Sequence, residues 1–125
     1  MSNEIRLSGN LAGNPESKKV GEQTITELRV YADDWKYDSD KKEYVPNGGE
    51  WYDITVWKPD LARACFETLK KGARIDVLGH LKVNRYTDKE GKEQVSLQVR
   101  AEDVTHRLNR VEQITLRPRG EPAYA

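Results

Sequence analysis

Residues 50–81 read EWYDITVWKPDLARACFETLKKGARIDVLGHL, and within this one stretch the apolar period changes twice. At its start Tyr52, Ile54 and Val56 alternate with Trp51, Asp53, Thr55 and Trp57. A period of two puts successive side chains on opposite faces of a strand. From Pro59 the repeat lengthens to Leu61, Cys65 and Leu69, with Ala62 and Phe66 beside them, which is the spacing of one helix face. Pro59 suits a first helical turn, and Gly72 sits where a helix end favours a left-handed residue. From Arg74 the period of two returns with Ile75, Val77, Gly79 and Leu81. Strand, helix, strand is the reading.

The same alternation extends in both directions. Downstream, residues 74–87 continue to Val83 on one side, with His80, Lys82, Asn84 and Tyr86 on the other. A turn follows at DKEGK, residues 88–92, and residues 93–104 pair back with Val95, Leu97, Val99 and Ala101 inward. Upstream, Ile5, Leu7 and Gly9 mark a first strand that breaks into a loop at the glycine, asparagine and proline of residues 9–15. Residues 24–32 give a second strand with Leu28, Val30 and Ala32 on one face and Glu27, Arg29 and Tyr31 on the other. Ile25 is out of phase there, which predicts a bulge. The charged run at 33–50 predicts a projecting hairpin with its tip near Asp38 to Lys42. The order is therefore three strands, a helix and two strands. That is the arrangement of the OB-fold, a mainly β, five-stranded Greek-key barrel with one helix between strands 3 and 4, whose surface takes oligonucleotides and oligosaccharides.

At 125 residues the chain is large enough for one core without disulfide or metal staples. The barrel is expected over residues 1–105, with a partly flexible C-terminal extension over 106–125, where a short alternating piece at Ile114 and Leu116 suggests a strand or an extended contact. No apolar run approaches the roughly 18 residues of a spanning helix, no secretory signal opens the sequence, and the single Cys65 is expected to be buried. A cytoplasmic home is the expectation. Formal net charge is zero, so any anion-binding surface must come from local segregation of charge. His80 and His106 are the only histidines, no nucleophile motif is present, and the acids at 33–40 lack calcium-loop spacing. No catalysis, metal or cofactor is expected.

Parity assigns Trp51 and Trp57 to the face of Asp53 and Thr55, a poor composition for a dry interior. Tyr86 shares the non-core face of the fourth strand with Asn84 and Lys82, and Trp35 lies in the charged hairpin. Exposed aromatics interleaved with cations are what single-stranded nucleic acid requires, since bases stack on rings while phosphates meet lysine and arginine. Exposed aromatics also mark subunit interfaces, and an oligosaccharide site uses tryptophan in the same way.

Three motifs resemble the bacterial-type single-stranded DNA-binding proteins: SGNLAGNPE near the start, the block at residues 50–81, and the hairpin RYTDKEGKE. The resemblance spans roughly Glu4 to Val104. It implies base stacking on Trp35, Trp51, Trp57 and Tyr86, and phosphate contacts from Lys71, Lys82 and Arg85. It also implies a homo-oligomer, tetramer or dimer, that coats single-stranded DNA in replication, recombination, repair or element transfer. Two departures stand out. Asp53 replaces a basic residue common in the family, and RPRGEPAYA stands where the family usually carries a glycine-rich linker and an acidic tip that recruits replication and repair proteins. The resemblance is thus to a tailless version. An alternative is a tailless primosome-type interaction module similar to primosomal replication protein N.

Overall fold

The computed structural model describes residues 3–118, apart from the side chains of Asp34 and Trp35. Its elements are β1 (Glu4–Leu11), β2 (Glu16–Val20), β3 (Gln23–Asp38), β4 (Glu43–Val56), α1 (Pro59–Thr68), β5 (Arg74–Thr87), β6 (Glu93–His106) and a 3-10 turn at Leu108–Arg110. The strands form one sheet in the order β1-β5-β6-β4-β3-β2, and a β1–β3 pairing closes it into a ring. Neighbours are antiparallel except β4 and β6, which run parallel from Asp53↔Gln98 to Val56↔Ala101. With α1 between β4 and β5, this is the OB-fold expected from the periodicities.

Closure gives each of the five strands of the ring, β1, β3, β4, β5 and β6, one inner face, while β2 stays outside it. The interior is filled by Leu7, Leu11, Leu28, Val30, Ile54, Val56, Ile75, Val77, Val99 and Ala101, all buried. Helix α1 closes one end with Ala62 and Cys65, and Leu69, just past its last turn, joins the same cluster. Buried Thr26 fastens it there, its hydroxyl donating to the Ala62 carbonyl at 2.6 Å. Burial, with the nearby charge of Asp103 adding to it, pushes the Cys65 thiol up to about 11. Phe66, expected beside the core, instead stays 49% exposed on the helix.

Several local expectations change. Residues 16–20 are a strand rather than part of a loop, because the chain turns and pairs β2 along β3, with Lys18 opposite Ile25. Ile25 is buried on that stretch with the register unbroken, so no bulge forms there. The irregularity in β3 falls at Asp33/Trp35 instead. Helix α1 ends at Thr68 with Leu69 extended, and Gly72 takes its φ of 89° in a separate turn, where the Ala73 amide donates to the Lys70 carbonyl at 3.0 Å. Val83 and Val95 keep their inward parity but remain exposed. The β5–β6 ladder continues to Thr87↔Glu93, while β1 pairs β5 no further than His80 and β4 pairs β6 no further than Gln98, so the outer part of the arm has no core to face. The projecting hairpin at 33–50 forms as expected, with its turn between Asp38 and Glu43. Asp38 caps that turn by accepting from the Asp40 and Lys41 amides. Residues 111–118 add no strand, and residues 119–125, part of the expected flexible end, lie outside the described residues.

Beyond His106 the chain is held by Arg107, whose guanidinium donates to Asp76 at 2.9 Å and to Ser8 at 3.0 Å, while Ser8 donates to Asp76. The Ser8 hydrogen bond and Arg107 together hold the Asp76 carboxyl below its ordinary range.

At Gly79 β6 leaves no room for a side chain: a Cβ there would lie 2.3 Å from the Arg100 carbonyl oxygen and 2.9 Å from Val99 Cγ1. Gly79→Ala is expected to cost about 1–3 kcal/mol by overpacking, measured by urea unfolding. Burial of Cys65 at 4% exposure predicts that it reacts with Ellman's reagent at pH 8 far more slowly than a free thiol; immediate labelling of the native protein would show that the thiol is accessible.

Candidate nucleic-acid interface

The outer face runs across β3, β4, β6 and β5, and the register sets its rows. One row reads Arg29, Asp53, Gln98, Lys82. The next reads Glu27, Thr55, Arg100, His80. Tyr31 sits opposite Trp51, and Tyr86 opposite Gln94 toward the end of the β5–β6 arm. Strand parity therefore assembles three of the expected aromatic residues, Trp51, Trp57 and Tyr86, and one expected cation, Lys82, on one continuous surface.

Trp51 is 45% exposed, with the Tyr31 ring 4.9 Å away at 54° and the Arg29 guanidinium 4.9 Å from its ring centroid. Arg29 also pairs with Asp53. Both partners are about half exposed, so the ion pair itself is worth under about 1 kcal/mol; its effect is to hold the guanidinium against the ring. Asp53 thus does not leave bare negative charge on the face, because Arg29 on β3 pairs with it. Trp57, half-buried just past the end of β4, has the Arg100 guanidinium 4.9 Å from its centroid. A guanidinium over an exposed indole contributes about 0.5–1 kcal/mol.

The other expected residues fall elsewhere. Arg85 pairs with Val95 and shares the parity of Val83, which puts it on the opposite side of the arm from Tyr86. Lys71 lies in the turn after α1, its amide donating to Asn14 Oδ1 at 2.9 Å. Asn14 in turn lines a cleft of about 360 Å³ shared with Glu27, Arg29 and Asp53. The Trp35 side chain lies outside the described residues; its backbone pairs with Pro46. Tyr31, Arg29 and Arg100, which the sequence reading did not single out, lie against Trp51 and Trp57. Their signal was present, since parity already put Arg29 and Tyr31 on the outer side of their strand and Arg100 between inward Val99 and Ala101.

Among the described residues no group of three or more His, Cys, Asp or Glu could hold a metal ion, and no helix is long and apolar enough to cross a membrane.

A model of the single-strand binding protein family matches residues 2–107. The chain belongs to that family. It is 33% identical over 105 residues to single-stranded DNA-binding protein 1 of Xylella fastidiosa, an alignment covering 82% of this chain and 74% of that one. Among solved structures, the small single-stranded DNA-binding protein of Streptomyces coelicolor superposes with a TM-score of 0.77 at 20% identity, covering 88% of this chain and 98% of that one. The Plasmodium falciparum protein in complex with single-stranded DNA gives 0.67 at 18% identity, covering 85% and 95%. At such identities the structural likeness is one of fold. Within this family member, the family's barrel carries an outer face with arginines laid over two tryptophans.

Because these rings lie outside the barrel, Trp51→Ala and Trp57→Ala are each expected to change unfolding free energy by no more than about 1 kcal/mol, whereas Ile54→Ala, at 1% exposure, should cost about 2–5 kcal/mol. Equilibrium denaturation of the three variants checks the assignment of inner and outer faces.

Proposed function

We propose that this chain binds and coats single-stranded DNA with little sequence preference, as a non-catalytic protein. The observation that carries the reading is the outer face itself, where Trp51, Trp57 and Tyr86 stand among Arg29, Arg100 and Lys82. Unpaired bases stack on such rings at about 1–3 kcal/mol each. With Trp35 as a fourth ring, stacking at about 2 kcal/mol per base amounts to about 8 kcal/mol, which corresponds to micromolar affinity. Lys71, Lys82 and Arg85 contact the phosphate backbone in this reading. Arg85, on the far side of the arm, requires the strand to pass around the arm's edge.

Family membership supports the same reading, as does the fold shared with the Plasmodium falciparum protein, whose solved structure is a complex with single-stranded DNA. The reading includes a homo-oligomer, tetramer or dimer, acting on DNA in replication, recombination, repair or element transfer, in the cytoplasm with the nucleoid. Residues 1–105 serve as the binding domain and 106–125 as an extension.

Titration with poly(dT) is expected to quench intrinsic tryptophan fluorescence strongly, saturating at many nucleotides per subunit, with affinity falling as salt rises. Absence of quenching at low salt would overturn the reading.

A further inference from the structure

The register of β5 and β6 skips one residue. Leu78 pairs with Asp103 and Gly79 with Ala101, so Glu102 stands in a bulge without a cross-strand partner. Bulges re-aim side chains, and here the carboxylate meets three basic groups. Lys58, directly after Trp57, places its ammonium 3.1 Å from Glu102 Oε2 and donates to the Glu102 carbonyl at 3.2 Å. His80 Nε2 lies 3.6 Å from Oε1. Arg100, two residues back on β6, lies over the Trp57 ring. The Lys58 hydrogen bond, then the charges of Lys58, His80 and Arg100, hold the Glu102 carboxyl below its ordinary range.

The charge balance of this corner differs from the rest of the face. Arg29 is matched by Asp53, whereas Lys58, His80 and Arg100 all act on the Glu102 carboxylate. A basic cluster, with Glu102 in its midst and Glu22 lining the cleft beside the ring, therefore sits at the rim of Trp57. Lys82, on the same face and two residues from His80, extends it.

We propose that Lys58 and Arg100, organised by Glu102, form a phosphate-binding site serving the nucleotide that stacks on Trp57. The proposal rests on the single-stranded DNA reading and assigns it residues to which the family resemblance gave no role. In the free protein Glu102 occupies the place of a phosphate, keeping Lys58 oriented, while Arg100 covers the ring. An arriving nucleotide exchanges these contacts: its base takes the ring, the guanidinium fork donates to the oxygens of one phosphate, and the Lys58 ammonium turns from Glu102 to the next phosphate along the strand. Glu102 accepts hydrogen bonds but cannot donate one, so it competes with the ligand as well as organising the site.

The test is fluorescence anisotropy of dye-labelled oligo(dT) at a series of NaCl concentrations, with thermal melting to confirm that each variant is folded. Arg100→Met and Lys58→Met are each expected to flatten the log-log salt dependence by about 0.7 and to weaken binding about five- to tenfold at low salt. Glu102→Gln, which removes the competing charge, is expected to tighten binding about two- to fivefold at low salt. Unchanged salt slopes in both methionine variants, or weaker binding by Glu102→Gln, would overturn this site while leaving the DNA reading standing. Failure of the unmodified chain to bind oligo(dT) would overturn both.

Discussion

The outer face exists because the sheet closes, and it closes through the short pairing of Asn10 with Tyr31 and Leu11 with Val30. In an open sheet both faces of each strand compete for cover. Once β1 joins β3, each strand of the ring has one side sealed against the others, and that side is filled by Leu, Ile, Val and Ala. Every residue of the other parity is pushed outward whatever its chemistry, and Trp51 and Trp57 are displayed for that reason. The hydroxyl of Thr26, bonded to the Ala62 carbonyl, and the amide of Lys71, bonded to Asn14, fasten the helix segment to the ring and hold it shut at one end.

On that scaffold the charges act more on geometry than on stability. Arg29 and Asp53 are too exposed for their ion pair to add much to folding. What the pair does is hold a cation flat against Trp51, so that the aromatic and the positive charge form one surface. At Trp57 the same result comes from a different device: the bulge at Glu102 gathers Lys58 and His80, and Arg100 reaches the ring from the adjacent strand. A protein with no net charge thereby places guanidinium groups against two of its outward tryptophans.

The architecture was legible because its signals are local. The change of period between residues 50 and 81 identified strand, helix and strand, and parity along each strand separated Ile54 from Trp51 without any knowledge of neighbours. The errors came where packing depended on a partner far away in the chain. Residues 16–20 are fully exposed and carry no alternation, so nothing in their pattern announced β2; the strand exists because β3 offers it an edge. Ile25 suggested a bulge because its cover comes from outside the barrel interior. Val83 and Val95 looked like core residues because their parity is correct, yet the arm runs past the last strand able to bury them.

The sequence by itself determined which face of each strand is apolar, where the helix interrupts the strands, and that Trp51, Trp57, Lys82 and Tyr86 are directed away from the core, because side-chain direction follows from a backbone period of two or 3.6. Only the tertiary structure decided which outward residues meet. Register between strands brought Arg29 to Asp53 and Trp51, put Arg100 over Trp57, and sent Arg85 to the far side of the arm. Register is set by ring closure and by bulges at Asp33/Trp35 and Glu102, which depend on contacts between residues far apart in the chain and leave no periodic mark within any single strand.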